Sequence, residues 1–206
     1  MENTSIFVYG ASGHGKVVAE AARAAGWLVR GFVDQDNSKK IGGLPTFSEE
    51  EFVKRFPGAY LALGIGDNGT REGIYRRLKS EGFCFPAVIH PKAIIAFGML
   101  PGEGAVIMPG VVINPDARIG VGCIINSGAV VEHDCVIGDF VHISPSVALG
   151  GNVTVGDKTH LGIASSVIQG IVIGKEVIVG AGAAVIRDLP DRVKAIGVPA
   201  KVKEKL

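Results

Sequence analysis

Five histidines are present, and His133 is the one whose neighbours best suit catalysis near neutral pH. It lies in the stretch Val131, Glu132, His133, Asp134, with a carboxylate on each side. A carboxylate that bonds one ring nitrogen fixes the tautomer and makes the other nitrogen more basic. We therefore predict that His133 is a general base. The alternative is an exposed histidine on a turn that takes no part in chemistry.

A glycine-rich loop near the amino terminus is typical of sites that bind phosphate. It reads GASGHG from Gly10 to Gly15, after a short apolar run over 6–9 and before a helical pattern that ends at Gly26. Backbone N–H groups at the start of a helix attract anions. The glycine spacing differs from the G-x-G-x-x-G fingerprint, and a domain of about 90 residues is too short for a full dinucleotide fold. We predict a phosphate or diphosphate here; a tight turn without ligand is the alternative.

Strands and helices alternate over residues 1–89, which we predict to form one α/β domain. A strand over 28–33 ends at Asp34, and a strand over 60–65 is followed by the loop Gly66, Asp67, Asn68. A helix over 70–80 and a fourth strand over 84–89 complete the pattern. A small parallel sheet of this kind binds its ligand at the carboxyl ends of the strands.

A six-residue repeat organises the rest of the chain. Every sixth residue is aliphatic at fourteen consecutive positions: Ile107, Ile113, Ile119, Ile125, Val131, Ile137, Ile143, Leu149, Val155, Leu161, Val167, Ile173, Val179 and Val185. Glycine often follows directly, and we expect it to relieve backbone strain at corners. A period of six fits neither a lone helix nor a lone strand. It indicates a parallel β-helix, predicted over 90–189, in which three hexads close one coil of eighteen residues. We expect the tail over 190–206 to cap it with a strand or loop and then a short helix.

The coil length sorts the polar residues into columns, because residues eighteen apart lie one above another. His142 and His160 share a column. His133 is half a coil from His142, so the two lie on different faces of one solenoid, and a groove between two copies could bring them together. Another column contains only small residues: Asn126, Ser144, Gly162 and Gly180. That column would leave room for a pantetheine arm; the alternative is that glycine simply marks corners.

Composition and patterning exclude several partners. The net charge is +1 and no basic run or aromatic-interleaved basic stripe occurs, so we expect no nucleic acid. No apolar stretch reaches about 18 residues and no leader is recognisable, so we expect a soluble, cytoplasmic protein that contacts no membrane. Cys123 and Cys135 fall in small interior slots of their hexads. This placement favours buried packing over a role as reactive thiols.

Metal catalysis is not expected either. Metal-dependent hydratases of the carbonic anhydrase type bind their metal with three histidines on solenoids of this kind. Here only His142 and His160 stack, and no third histidine is placed across the groove. We therefore predict no metal.

Several motifs together resemble one family. The hexads, the GVPAK tail, EHDCVIGDF, GASGHGKVV, LGIGDN and IHP cover nearly the whole chain. They are similar to the bacterial nucleotide-sugar and sialic acid acetyltransferases of the hexapeptide-repeat class, which include bacillosamine and perosamine N-acetyltransferases. The resemblance implies a left-handed solenoid, a homotrimer, and acetyl-CoA in the groove between neighbouring solenoids.

The resemblance also implies roles for individual residues. His133 matches the catalytic base, Asp134 the carboxylate that raises its basicity, and Asn126 an active-site asparagine. The matched acetyl-CoA positions are His142, Ile163, Gly180 and Ala181. The matched substrate positions are Ser12, Gly13 and His14 for the diphosphate, Asp34 and Gln35 for the nucleoside, and Gly66 in a second loop. Asp134 replaces a glutamate of some members, and Gln35 replaces a second aspartate of some bacillosamine enzymes. No role transfers to His160.

The sequence therefore predicts an acetyl-CoA-dependent N-acetyltransferase that acts on the 4-amino group of a nucleotide-linked amino-deoxy sugar. Transfer would be direct, with His133 taking the amine proton. A sialic acid O-acetyltransferase and a GDP-perosamine N-acetyltransferase are the alternatives of the same class. A non-enzymatic sugar-binding scaffold is the alternative that needs no His133. Which nucleotide is bound, UDP or GDP, stays open at this point.

Overall fold

The computed structural model describes residues 4–206 and begins with an α/β domain. Its elements are β1 (Ser5–Tyr9), α1 (Gly13–Ala24), β2 (Leu28–Val33), β3 (Thr46–Phe47), α2 (Glu49–Arg55), β4 (Leu61–Leu63) and α3 (Asn68–Ser80). The strands form one parallel sheet in the order β3-β2-β1-β4. Because β1 lies between β2 and β4, the carboxyl ends of these three strands meet at one edge, where the loops to α1 and α3 begin.

The sheet is held by apolar side chains at the spacings that the elements require. Helix α1 packs Val18, Ala19 and Ala22 against it, all three buried. Their separations of one and three residues place them on a single face of a helix with 3.6 residues per turn. Small alanines let the helix lie close to the strands, so the glycine loop before α1 is fixed over the sheet edge.

A solenoid of short strands follows. Its strands are β5 (Val88–Ile89), β6 (Ile94–Ile95), β7 (Val106–Ile107), β8 (Val112–Ile113), β9 (Arg118–Ile119), β10 (Ile124–Ile125), β11 (Val130–Val131), β12 (Val136–Ile137), β13 (His142–Ile143), β14 (Ala148–Leu149), β15 (Thr154–Val155), β16 (His160–Leu161), β17 (Ser166–Val167), β18 (Val172–Ile173), β19 (Ile178–Val179) and β20 (Ala184–Val185). They stack into three parallel sheets.

Pairing between coils follows the eighteen-residue register. Ile124 pairs with His142, and His142 pairs with His160. The aliphatic hexad residues point inward, and each of the fourteen is at most 7% exposed. The predicted parallel β-helix after an α/β domain is therefore confirmed.

The hexad glycines are needed for a reason other than the one predicted. Gly120, Gly138 and Gly162 have ordinary backbone angles, so they relieve no left-handed strain. A Cβ on Gly120 would lie 2.6 Å from the carbonyl of Gly138, and one on Gly162 would lie 2.6 Å from the Val179 oxygen. Close stacking of one coil on the next therefore excludes a side chain at these positions.

The carboxyl-terminal tail differs from the expected short helix. Strand β21 (Val193–Ile196) pairs parallel with β19, and β22 (Lys201–Lys205) pairs antiparallel with β21. An open strand edge leaves backbone groups without partners, and β22 satisfies those of β21. The helix prediction was therefore wrong.

The predicted fourth strand of the α/β domain is divided between the two parts of the chain. Cys84 forms a single parallel bridge with Tyr60 next to β4, whereas β5 pairs with β7 and starts the solenoid. Phe83 and Phe85, on either side of Cys84, are buried in the core of the α/β domain. Over residues 4–206, none of the helices combines the length and the apolar character that crossing a membrane requires.

Candidate active site

His133 lies on the turn between β11 and β12, in contact with the next residue. Its Nδ1 lies 2.7 Å from Oδ2 of Asp134. Asp134 has a left-handed backbone angle, φ 61°, which turns its carboxylate back towards the ring. Because a carboxylate only accepts, Nδ1 carries the hydrogen and the neutral ring presents a free lone pair at Nε2. The hydrogen bond that Nδ1 donates to Asp134 raises the pKa of His133, and the charges of Asp134 and Glu132 act in the same direction.

The two flanking carboxylates have separate tasks. Glu132 accepts a 2.9 Å hydrogen bond from Nδ2 of Asn114, its neighbour one coil below. Asp134 is the carboxylate that bonds the imidazole. The His133 side chain is 61% exposed, so Nε2 is accessible in the single chain. The arrangement can take a proton from a group that approaches the surface.

A second group of imidazoles, which we call the imidazole stack, consists of His14, His142 and His160. The ring centroids of His142 and His160 are 4.6 Å apart, and those of His14 and His142 are 6.2 Å apart. Burial lowers the pKa of His142 to about 3, with the charge of His160 as the next cause. Burial likewise lowers the pKa of His14 to about 4 and lowers that of His160. All three rings are therefore neutral at pH 7.

Polar neighbours fix the orientation of two rings in the stack. Asn126 accepts the Ser127 N–H at Oδ1, 2.8 Å away, so its Nδ2 faces Nε2 of His142 at 3.4 Å. One coil higher, the hydroxyl of Ser144 lies 2.9 Å from Nε2 of His160. The small-residue column thus begins with two side chains that bind histidines. Its upper members, Gly162 and Gly180, are explained by close contact with the next coil.

The glycine loop lies at the predicted edge of the sheet. Asp34 accepts the N–H of Ala11 at 2.7 Å, so the carboxylate at the end of β2 holds the loop. A Cβ on Gly15 would lie 1.8 Å from the carbonyl oxygen of Gly10, which requires glycine there. Ser12 caps α1 without a side-chain hydrogen bond to the helix. The first N–H groups of α1 therefore stay available to a ligand, and His14 on the same turn faces the solenoid.

A cleft of about 610 Å³ opens beside this loop. Its walls come from the ends of β1, β2 and β4 and from the exposed face of α3: Tyr9, Asp34, Gln35, Ile65, Thr70, Gly73, Ile74 and Arg77. The cleft places the predicted nucleoside residues Asp34 and Gln35 together. Its size is in the range of small-molecule sites.

Arg71 joins the two parts of the chain and was not predicted from the sequence. The side chain is fully buried, and five hydrogen bonds bind its N–H groups. Their acceptors are the carbonyls of Ile65, Gly66, Gly122 and Phe140 and the amide oxygen of Asn68. Burial lowers the pKa of Arg71 to about 10, so it stays charged at pH 7. Its position three residues before Ile74 and seven before Leu78, both buried, is a helical spacing that could have shown it to face inward.

Both solenoid cysteines are buried donors. Cys123 and Cys135 donate to the carbonyls of Gly138 and Gly150, 3.0 and 3.2 Å away. Burial raises the pKa of Cys123 to about 12 and also raises that of Cys135. Thiols of this kind are poor nucleophiles. Within residues 4–206, no three or more His, Cys, Asp or Glu side chains are grouped to hold a metal ion.

The single chain does not bring all of the predicted site residues to one place. The imidazole stack unites His14 of the glycine loop with His142 of the solenoid. His133 is on the turn between β11 and β12, whereas His142 is in β13, which belongs to another sheet. Ile163 and Ala181 lie eighteen residues apart on one corner of the solenoid and are both exposed.

A parallel β-helix of hexads with an exposed histidine–aspartate pair, preceded by an α/β domain with a phosphate-type loop, defines a hexapeptide-repeat acyltransferase. Comparisons with known proteins agree with this class. Residues 5–78 match the family model described as PglD N-terminal domain. A curated relative, UDP-N-acetylbacillosamine N-acetyltransferase of Bacillus subtilis, is 41% identical over 110 residues. That match spans about half of each protein, 50% of this chain and 51% of the relative.

Solved structures match over nearly the whole chain. A histidine-to-asparagine variant of perosamine N-acetyltransferase from Caulobacter crescentus, in complex with CoA and GDP-perosamine, is 42% identical with a TM-score of 0.93. The match covers 98% of this chain and 97% of that one. The acetyltransferase domain of PglB from Neisseria gonorrhoeae, in complex with acetyl coenzyme A, is 34% identical with a TM-score of 0.93 over 98% of this chain and 100% of that one. The chain belongs to the bacterial nucleotide-sugar acetyltransferase family of hexapeptide-repeat acyltransferases.

Proposed function

We propose that this protein transfers an acetyl group from acetyl-CoA to the 4-amino group of a nucleotide-linked amino-deoxy sugar. The observation that carries the proposal is the 2.7 Å contact between Nδ1 of His133 and Asp134, which leaves Nε2 free and basic. The solved relatives with CoA and with GDP-perosamine match this chain over nearly its whole length and support the same chemistry.

The chain's own residues handle the proton. The neutral 4-amino group attacks the thioester carbon, and Nε2 of His133 takes the proton that the nitrogen loses as the C–N bond forms. The C–S bond then breaks. Asp134 stabilises the imidazolium that results, as a hydrogen-bonded carboxylate does. His133 then gives the proton to the departing sulfur, and Nε2 returns to its starting state. Acetyl-CoA, when bound, supplies the acetyl group as an activated thioester.

The residues at the corner of the solenoid fit a pantetheine arm. Ile163 is an aliphatic side chain left 57% exposed, and Ala181 stands one coil above it, also exposed. Together they form an apolar ledge next to Gly162 and Gly180, where coil stacking keeps the surface free of side chains. We assign His142, Ile163, Gly180 and Ala181 to the acetyl-CoA site, with His142 and Asn126 nearest the reacting end.

The loop edge of the α/β domain fits a nucleoside diphosphate. The amino ends of α1 and α3 follow the adjacent strands β1 and β4, so both helix dipoles are positive at the same edge. Nε2 of His14 is buried and has no hydrogen-bond partner among residues 4–206. We assign Ser12, Gly13 and His14 to the diphosphate, and Gly66 to the second loop that contacts the substrate. Asp34 and Gln35, in the cleft, are assigned to the nucleoside.

A homotrimer would complete the site. His133 and the acetyl-CoA residues lie on different sides of one solenoid, so we propose that the groove between neighbouring subunits joins them. Mixing subunits tests this directly: a His133→Ala chain and an Ile163→Glu chain, each weakly active alone, should recover activity when refolded together. No recovery would place both residues in one subunit's site. We also propose a cytoplasmic location, in keeping with three free cysteines, which persist in reducing compartments.

A thiol-release assay tests the function and its substrate. Purified protein is given acetyl-CoA and, in separate reactions, UDP- and GDP-linked 4-amino-4,6-dideoxy sugars and free sialic acid. Release of CoA thiol with one of the nucleotide-linked amino sugars is expected, with the acetyl group on nitrogen by mass spectrometry and NMR. Release only with sialic acid would establish an O-acetyltransferase instead. No release with any acceptor would reject the proposal.

A further inference from the structure

Gly151 lies directly above His133 in the solenoid. It follows His133 by eighteen residues, one full coil, and the N–H of Asn152 donates to the His133 carbonyl at 2.8 Å. A Cβ built on Gly151 would lie 2.6 Å from both Cε1 and Nε2 of the imidazole and 3.2 Å from Nδ1. All three distances are below ordinary van der Waals contact, which begins at 3.4 Å. The imidazole therefore lies against the bare backbone of Gly151.

The backbone of Gly151 does not itself require glycine. Its φ is outside the left-handed region, so alanine could adopt the same angles. Its neighbour Gly150 is different, because a Cβ there would meet the backbone of Gln169 on the next coil at 2.6 Å. At Gly151 the three nearest atoms all belong to the His133 ring. The first group that a side chain at position 151 would meet is thus the imidazole.

Two contacts hold the imidazole. Asp134 bonds its edge at Nδ1, and Gly151 supports its face. With 61% of the side chain exposed, little other packing restrains the ring. We propose that Gly151 is a positioning residue, whose missing side chain keeps the His133 ring in the plane that allows the bond to Asp134. This inference rests on the proposed function only in that His133 acts as the base.

The charged groups around the ring determine how the pKa of His133 would change if the ring moved. Asp134 and Glu132 are the charged groups of its own turn that act on it. The turn above contributes Gly151 and Asn152, which do not titrate, and the turn below contributes Asp116 beneath Asp134. Loss of the bond to Asp134 would therefore remove the largest cause of the raised pKa of His133. The pKa of His133 would then fall.

The substitution Gly151→Ala tests the inference. The ring must move by about 0.8 Å to restore contact at 3.4 Å, and a misplacement near 1 Å costs about 100-fold in rate. We expect kcat to fall by about that factor, with the KM values of acetyl-CoA and of the amino sugar unchanged. The acidic limb of the pH–rate profile of the residual activity should move to lower pH. Gln169→Ala, one coil above Gly151 on an exposed position, is the matched control and should change neither quantity.

A second readout does not depend on the reaction. In protein labelled with ¹³C at the histidine Cε1, the His133 signal, assigned by its loss in His133→Ala, should titrate at lower pH in Gly151→Ala than in the wild type. In the His133→Ala background, adding Gly151→Ala should leave the melting temperature unchanged, because no ring remains to collide with. An unmoved His133 titration, or turnover within about twofold of the wild type, would overturn the inference. The titration reports the seating of the ring even if no acceptor is acetylated.

Discussion

Replacing Arg71 with methionine should separate the stabilities of the two parts of the chain. The change removes a buried charge and five hydrogen bonds, and it leaves the carbonyls of Gly122 and Phe140 in the solenoid without their donor. Ile65 and Gly66 lose theirs on the other side of the junction. Breaking a buried charged network of this type costs about 3–5 kcal/mol. That is a large part of the stability of a typical domain, about 5–15 kcal/mol.

The single tryptophan makes the effect measurable by region. Trp27 packs against Tyr60 in the α/β domain, with ring centroids 5.7 Å apart, so its fluorescence follows that domain. Far-ultraviolet circular dichroism follows both parts. In Arg71→Met, the urea midpoint followed by Trp27 should fall by about 2 M, for a cost of about 4 kcal/mol and an m-value of about 2 kcal/mol per molar. It should then lie below the midpoint of the dichroism change.

A matched control lies one turn along α3. Arg76 pairs with Glu72 but is 67% exposed, and Arg76→Ala should change stability by less than about 0.5 kcal/mol. If the two probes stayed coincident in Arg71→Met and the midpoint moved no more than in the control, Arg71 would not be the junction described above.

Three further predictions concern the imidazoles and thiols. Asp134→Asn removes the charge but keeps a residue that tolerates the left-handed backbone angle. The pKa of His133 should therefore fall, and the acidic limb of the pH–rate profile should move to lower pH. An unmoved limb would contradict the role assigned to Asp134. Because burial holds the pKa of His142 near 3 and that of His14 near 4, the unfolded chain binds more protons between about pH 6.5 and 4. As the pH falls over that range, the free energy of unfolding should drop by about 1 kcal/mol per pH unit for each of these imidazoles. His14→Asn should reduce this dependence of stability on pH, measured by urea titration at each pH. The double variant Cys123→Ala, Cys135→Ala should keep its turnover and show no acyl-enzyme by mass spectrometry, whereas a dead but folded variant would point to a covalent route.

The repeating part of the fold was predictable because one spacing determines it. Fourteen aliphatic residues at a period of six can be buried together only if the chain closes a coil every third hexad, and the observed pairing of His142 with His160 follows directly. The contact between His133 and Asp134 was equally local, since the two are neighbours in the chain.

Features that depend on docking were not predictable in the same way. The contact of His14 with His142 joins residues far apart in the sequence, and nothing in the spacing of either loop encodes it. The tail strand β22 is exposed along its length, so no apolar pattern distinguishes a strand from a helix there. It forms a strand because it pairs with the open edge of β21. Helix α2, by contrast, has a local signal in the sequence. Ser48 caps it by accepting the N–H of Glu51, as the Ser-x-x-Glu pattern predicts.

The most direct measurement of the central claim is turnover of His133→Asn with acetyl-CoA and the best acceptor of the panel. Asparagine keeps a polar side chain of similar size but cannot act as a base at neutral pH. We expect kcat to fall by at least about 100-fold, while the dissociation constant of acetyl-CoA, measured by calorimetry, stays within about twofold. Turnover close to that of the wild type would show that another group takes the proton.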